Sequence, residues 1–530
     1  MTSALAVLPL LAAQPLATPM TPPLIEQGRD QDRPQIPGPG DRLNLPKGVA
    51  VDVESNAAAI QGIDFVGVDA PAMVAQAAQP FLGRPASRET LEALAKTISD
   101  AYAKTGIALY TVAIPQQDLS TGRVKILLAE GFVEDIAYPK GASPLVQAYA
   151  EKLRKERPLT KRTLERSLSL IRDIPGAKAD VSVQRGAEAG AVKFEIVPTR
   201  KRTDFSFGIN NIAQAGLGRG QLQASAQAYS LFRDGDRTDL TYLSAIDFEQ
   251  FKYVALSHQT PLGSDGLTLG LSGSYLDTRI AQPPVSGKAW TAGASLAYPV
   301  IRSYRRNLTI SLGLDGLNSD TALVNSILSS DRIRAVRGAA GYSLVTDKSV
   351  LTGGFVMSRG LDILGARTTL DVADTTFTKI AGRAGYDRMI GKSFVARLRA
   401  SGQYSSDRMP ANERFAIGGP DLGRAFEVAT VSGDRGFGGS FELALRPTLP
   451  ERLKGTEVYG FIDGAKLRIL ARPGFSAANF SLASTGGGVR IAYNPHAWLE
   501  LEGARVIEKP FPTAPGGWRF NINWRLKLRA

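Results

Sequence analysis

The residues that most enzyme chemistry needs are missing from this chain. The sequence has no cysteine and two histidines, His258 and His496. Thiol catalysis, disulfides, zinc fingers and iron–sulfur ligation are thereby excluded, and a histidine-rich metal site with them. Neither a G-x-S-x-G elbow nor a G-x-x-x-x-G-K-[ST] phosphate loop occurs. No enzyme activity, metal, cofactor or small-molecule substrate is expected. What remains is charge. Arg397, Arg399, Arg490, Arg519, Arg525 and Lys527 sit in the polar register of alternating apolar runs. On a strand they share one face. That basic wall is either an electrostatic path for an unfolded chain or ions, or the solvated side of a wet interior. Arg424 lies in the stretch Phe415-Ala416-Ile417-Gly418-Gly419-Pro420-Asp421-Leu422-Gly423-Arg424-Ala425-Phe426, and Asp463 in Phe461-Ile462-Asp463-Gly464-Ala465. Brought together, they would form a directional charge-assisted bond. Apart, they are a loop arginine and an ordinary polar residue.

Composition limits what holds these residues. In 530 residues, 63 Lys and Arg face 50 Asp and Glu, a net charge of +13, with 43% hydrophobic and 21% charged residues. Mean hydropathy near zero excludes a helical membrane bundle. The chain is too apolar to be wholly disordered. A basic balance suits nucleic acid, anionic lipid or a charged channel wall. The in-register placement of the cations favours the wall, and no nucleic-acid partner is expected.

Residues 1–20 hold a short apolar run broken by Pro9 and Pro15, similar to a signal-peptide core but with no Lys or Arg before it. Residues 21–56, rich in Pro, Gly and charge, read as a linker with a short helix possible at Leu24–Asp30. Residues 57–130 and 131–198 then repeat one β-α-α-β-β order. Leu91, Leu94, Ile98 and Tyr102 share a helix face in the first unit, and Leu164, Leu168 and Ile171 in the second. From 199 to 530 two-residue alternation replaces helical periodicity: Leu308, Ile310, Leu312 and Leu314 alternate with Thr309, Ser311, Gly313 and Asp315, and Trp518, Phe520, Ile522 and Trp524 with Arg519, Asn521 and Asn523. We count about 16 such runs between 202 and 528, an even number that lets a barrel close in lipid. The expected fold is α+β repeats followed by an all-β, 16-stranded transmembrane β-barrel. Outer-membrane lipid is one expected partner.

Local words sharpen this. Pro115-x-Gln117, Gly122-x-Val124 and Glu130-Gly131 occur in the first unit, and Asp173-Ile174-Pro175-Gly176 in the second. Gly235-Asp236, Pro261-Leu262-Gly263 and Tyr298-Pro299-Val300-Ile301-Arg302-Ser303 punctuate the barrel. Their order resembles the outer-membrane transporters of two-partner (type V) secretion, the haemolysin secretion/activation family of the POTRA-plus-barrel superfamily. The resemblance covers residues 57–530. It implies that the repeats are periplasmic POTRA domains in a Gram-negative cell, and that the barrel secretes an exoprotein bearing an N-terminal secretion domain. It also implies that the long loop 406–434 folds into the lumen with a V-R-G-F/Y tip. Arg424 and Phe426 match that tip, while Gly423 and Ala425 depart from its Val and Gly; Gly418 and Gly419 precede it. Phe461 and Asp463 match the family's F-x-D-x-G motif, although Ala465 stands at its last glycine. An Arg424–Asp463 latch against the inner wall is the implied arrangement. Exoprotein docking by strand addition is expected at Ala108–Ile114, with Leu109, Val112 and Ile114, and at Ala179–Gln184, with Val181 and Val183. The helix near Leu24–Asp30 is similar to the family's plug. The chain ends on Trp524-Arg525-Leu526-Lys527-Leu528-Arg529-Ala530 rather than on Phe, so recognition by the barrel-insertion machinery is expected to rest on Trp518, Phe520 and Trp524. The rival readings are a barrel-assembly factor and, less favoured, a passive porin.

Overall fold

The computed structural model describes residues 48–53, 58–212, 217–218, 220–281, 284–323, 326–369, 372–493 and 496–529. The signal-like segment 1–20 and the helix expected at Leu24–Asp30 lie outside the described residues. No described helix is long and apolar enough to cross a membrane.

The N-terminal unit contains two small α+β layers. The first comprises β1 (Gly48–Val51), β2 (Gly62–Gly67), α1 (Ala72–Ala78), α2 (Arg88–Tyr102), β3 (Tyr110–Ile114) and β4 (Arg123–Glu130), with sheet order β1-β3-β4-β2. Its helix α2 starts where Ser87 Oγ accepts the Thr90 N–H at 3.2 Å. Leu91, Leu94, Ile98 and Tyr102 then fall on one face and are fully buried beneath the sheet. The second layer comprises β5 (Phe132–Ala137), α3 (Pro144–Arg154), α4 (Lys161–Arg172), β6 (Ala177–Arg185) and β7 (Ala191–Arg200), with order β5-β7-β6. Backbone bonds join the layers: Gly131 N–H to Leu109 O at 2.7 Å, Leu159 N–H to Gly131 O at 2.8 Å and Ala108 N–H to Leu159 O at 2.8 Å.

The expected open edge at Ala108–Ile114 is not open. The strand begins at Tyr110, and β1 lies beside it in parallel, from Gly48↔Thr111 to Val51↔Ile114. Ala108 and Leu109 turn instead into the core of the second layer, while Val112 and Ile114 are fully buried in the first. The Pro- and Gly-rich composition around 21–56 hid the four-residue strand. The other expected edge is different: β6 ends its sheet, with Val181 and Val183 half-buried against the core.

The C-terminal unit is a closed barrel of 16 strands. They are β8 (Thr203–Asn210), β9 (Gln221–Tyr229), β10 (Arg237–Ala245), β11 (Phe251–Leu262), β12 (Leu267–Ile280), β13 (Val285–Arg302), β14 (Arg306–Leu323), β15 (Ser326–Val345), β16 (Ser349–Gly360), β17 (Thr378–Ile390), β18 (Phe394–Tyr404), β21 (Arg435–Leu445), β22 (Glu457–Ile469), β23 (Ala478–Tyr493), β24 (Ala497–Glu508) and β25 (Trp518–Arg529). The last strand closes on the first, from Asn523↔Asn210 to Arg529↔Asp204. Closure leaves no lipid-facing edge to satisfy. Ile310, Leu312, Leu314, Trp518, Phe520 and Ile522 are exposed on the outer face, as a lipid belt requires.

Candidate functional site: a loop tip held in the lumen wall

The segment between β18 and β21 returns on itself through a short hairpin, β19 (Phe415–Ile417) against β20 (Val431–Gly433). Its turn depends on glycine. Gly418 has φ +102° and a Cβ there would lie 2.4 Å from the Glu427 carbonyl oxygen. Gly423 has φ +92°, and a Cβ would meet Leu482 Cδ1 at 2.6 Å. This geometry presents the backbone N–H groups of 423–425 to the wall.

Strand parity places the receptor. On β22, Tyr459, Phe461 and Asp463 are buried inward, while Val458 and Ile462 face out. Asp463 Oδ1 accepts the Gly423 N–H at 2.8 Å, and Oδ2 accepts the Arg424 N–H at 3.2 Å. Ser484 Oγ donates to Asp463 Oδ1 at 2.7 Å and accepts the Ala425 N–H at 3.4 Å. Asn521 Nδ2 donates to the Arg424 carbonyl at 3.1 Å. The aspartate therefore grips the tip's backbone. Phe426 packs into the same apolar cluster as Phe461, Leu422 and Leu482.

The guanidinium is shared more widely than expected. Arg424 Nε keeps a long ion pair with Asp463 Oδ2 at 3.9 Å, beyond hydrogen-bond range. Its Nη1 donates to Glu442 Oε2 at 3.1 Å and to Glu502 Oε2 at 3.0 Å, and its Cζ lies 4.2 Å from the Phe461 ring centre. With the carboxylate already occupied by backbone donors and Ser484, the side chain reaches two further acids.

Those acids neutralise part of the supposed basic wall. Arg490 bonds Glu442 through Nη1 at 2.6 Å and Nη2 at 2.8 Å, and Glu500 through Nε at 2.8 Å. Arg397 bridges Glu442 at 2.8 Å and Glu457 at 2.6 Å. The Tyr459 hydroxyl donates to Glu502 Oε2 at 2.8 Å, under the Arg490 guanidinium. Arg399 pairs with Asp387. Arg519 bonds Asn521 Oδ1 at 3.0 Å and approaches loop residue Glu427 at 3.9 Å. Arg525 and Lys527 lie on β25 opposite Gly208 and Ser206. Glu442, Glu500, Glu502, Ser484 and Asn521 join the site beyond the cations expected there. Acids at the same parity were the available signal. Gly488 belongs to the site too: a Cβ there would lie 2.8 Å from the Tyr459 hydroxyl oxygen and 2.4 Å from the Leu501 carbonyl oxygen.

A second anchor holds the loop's root. Arg337 donates to both oxygens of buried Glu413, at 2.6 and 3.1 Å, and to both of Asp315, at 2.5 and 2.9 Å. Lys379 also pairs with Glu413. Asp434 accepts the Met409 and Leu470 N–H groups at 2.7 Å each and pairs with Arg472 at 2.6 Å. The loop is thus fixed at its tip by β21–β25 and at its root by β14, β15 and β17.

A family model described as haemolysin secretion/activation protein ShlB/FhaC/HecB matches residues 191–491, and a ShlB-type POTRA model matches residues 58–131. The chain belongs to the haemolysin secretion/activation family. As a member of this TpsB-type family it is an outer-membrane protein, with POTRA domains in the periplasm. The haem/haemopexin transporter protein HuxB of Haemophilus influenzae is 22% identical over 377 residues, 67% of this chain and 66% of that one. The haemolysin transporter protein HpmB of Proteus mirabilis is 23% identical over 336 residues, 59% of each chain. The chain thus spans 66% and 59% of these two relatives' lengths. CdiB from Escherichia coli has the same fold, with TM-score 0.73 at 18% identity over 96% of this chain and 97% of that one. A BamA structure from Haemophilus ducreyi lacking POTRA domains 1–3 aligns at TM-score 0.54 and 14% identity, over 89% of this chain and all of that one.

Proposed function

We propose that this family member is a secretion pore that takes up a large exoprotein through its POTRA domains and passes it, unfolded, to the cell surface without ATP. The observation that carries the reading is the loop tip, held to the inner wall by Asp463, Ser484, Asn521, Glu442 and Glu502. A passive porin has no use for so many directed bonds on one turn. A transporter needs a plugged lumen that opens on demand, and such bonds can be exchanged one for another without unfolding the barrel. The charges support the same reading. Paired acids and arginines offer a passing polypeptide successive partners of either sign, with no deep trap for one. The outer edge of β6 in the second POTRA domain, unpaired among the described residues, supports strand addition as a docking mode. No chemical step is assigned. Folding of the exoprotein outside supplies the outward bias.

The test is export of a candidate exoprotein's N-terminal domain by wild type and by Arg424→Ala, with both barrels shown to be inserted. Export by wild type and failure by the variant is the expected result. Export by neither, with altered levels of other outer-membrane proteins, would favour an assembly factor instead. Normal export by both would reduce Arg424 to a loop arginine.

A further inference from the structure

The cations around the loop tip point into the lumen and are met by acids. A second group points the other way, into lipid, and is not. The POTRA domains lead into β8, so by strand count the hairpin from β18 to β21 opens at the extracellular rim. On β22, Val458, Ile462, Lys466 and Arg468 share the outward parity and are exposed. On β21, Leu445, Leu443, Phe441 and Phe437 are exposed on the outer face, and Arg435 ends their row. Both rows therefore change from apolar to cationic toward the extracellular rim. Two other strands repeat the order. Tyr342 on β15 and Leu351 on β16 are exposed near the periplasmic end, and Arg334 and Arg359 continue the same rows toward the other.

The height of the change is set by strand geometry. Arg435 stands ten residues along its strand from Leu445. That is about 34 Å of strand and about 26 Å along the membrane normal at a tilt of about 40°, the height of an apolar band. The cations lie where lipid headgroups begin.

Three of them form a cluster. Arg435 and Arg468 are direct cross-strand partners. Such partners hold their Cβ atoms about 4.5–5.5 Å apart, and like charges there are destabilising. Lys466 follows on the same face, two residues or about 7 Å along the strand. Among the described residues, no acid lies within ion-pair distance of the three. Asp434, next to Arg435 in the chain, is fully buried and pairs with Arg472. Glu508 accepts from Ser481, which stands opposite Lys466. Arg435 Cζ lies 5.7 Å from the ring centre of outward-facing Tyr404. Phe437, opposite Lys466, is 67% exposed. A bound anion would relieve the repulsion between the two arginines, and the exposed Phe437 and Phe441 beneath them offer an acyl chain its contact.

We propose that Arg435, Lys466 and Arg468 form a site on the barrel's outer surface for the phosphate of an anionic outer-leaflet lipid, whose acyl chains lie along Phe437 and Phe441. The lipid bridges β21 and β22 from outside. The inner faces of the same two strands carry Glu442 and Asp463, which hold the loop tip.

The probe is diphosphoryl lipid A with a fluorophore on one acyl chain, titrated in detergent onto the full-length protein. The test variant combines Arg435→Gln, Lys466→Gln and Arg468→Gln. The control variant removes the same charge from exposed periplasmic turns, by Lys348→Gln, Arg452→Gln and Lys454→Gln. A basic residue near an anionic lipid surface is worth about fivefold in affinity, so the test variant should bind about a hundredfold more weakly than wild type. The control should bind like wild type, and millimolar inorganic phosphate should not displace the probe. Lipid A should also raise the temperature at which wild type loses its heat-modifiable band, and leave that of the test variant unchanged. Should the triple variant fail to form that band, Arg435→Gln and Arg468→Gln singly decide, each expected to cost about fivefold. A loss under about tenfold in the triple variant, or none in the singles, would overturn the proposal. So would an equal loss in the control, which would reduce the effect to net charge. Displacement by inorganic phosphate would replace the lipid with a free anion and overturn it as well.

Discussion

Replacing Asp463 by Asn tests whether the loop tip is held by its backbone, because the change is nearly isosteric and removes one acceptor. Asp463 Oδ1 serves Gly423 and Ser484, and Oδ2 serves the Arg424 N–H. An asparagine keeps its oxygen toward the first pair and turns an NH2 toward the Arg424 N–H, so two donors face each other. One charge-assisted bond is lost, about 1.5–3 kcal/mol, and a buried donor is left unsatisfied, about 1–3 kcal/mol. The terms overlap, so we take about 3–4 kcal/mol, which raises the released population by roughly 10² to 10³. Ala425 supplies the reporter, since it is 8% exposed and the chain has no native cysteine. Ala425→Cys should react slowly with a bulky maleimide, and the same cysteine in an Asp463→Asn background should react about 10² to 10³ times faster. The barrel should keep its heat-modifiable mobility in gels. A change under about fivefold, with the barrel intact, would show that the tip is held by packing of Phe426 rather than by Asp463.

The root anchor makes an independent prediction. Glu413→Gln leaves Arg337 and Lys379 facing each other with only Asp315 to compensate, a loss of about 3–5 kcal/mol for a broken buried pair. Limited proteolysis should then cut near residues 405–414 in the variant and not in wild type. Unchanged resistance would place the hold at Asp434–Arg472 instead. Gly488→Leu introduces a side chain where even a Cβ meets Tyr459 and Leu501. It should block barrel assembly, read as loss of the heat-modifiable band. Gly460→Ala on the facing strand, whose Cβ meets only the Gly486 carbonyl oxygen at 3.7 Å, should be tolerated.

The repeating patterns in this chain are local, and so was much of what they conveyed. A buried face at Leu91, Leu94, Ile98 and Tyr102 needs only 3.6-residue geometry, and Ser87 marks its start. Alternation at 308–315 and 518–524 needs only the pleat of a strand, so strand count, barrel closure and the inward parity of Tyr459, Phe461 and Asp463 follow from nearby residues. The glycines at 418 and 423 announce a turn for the same reason.

Which partners meet is a property of register, and register is not local. Arg424 finds Glu442 and Glu502, 18 and 78 residues away, because β21, β22, β23 and β24 pair with Glu442 opposite Phe461 and Glu502 opposite Gly488. A slip of one residue would turn every one of these side chains into lipid. The tip's glycines aim two backbone N–H groups at Asp463, which leaves the guanidinium to seek other acids. That preference appears only once the turn is built. The strand at 48–51 is the same case in miniature. Four residues are too few to show a period, and their partner, β3, begins about sixty residues later. Sequence alone determined that this chain builds helical repeats and a lipid-facing barrel, because periodicity costs only neighbouring residues. The tertiary structure decided which charges pair and which sheet edge is closed, because those contacts depend on where distant strands come to rest.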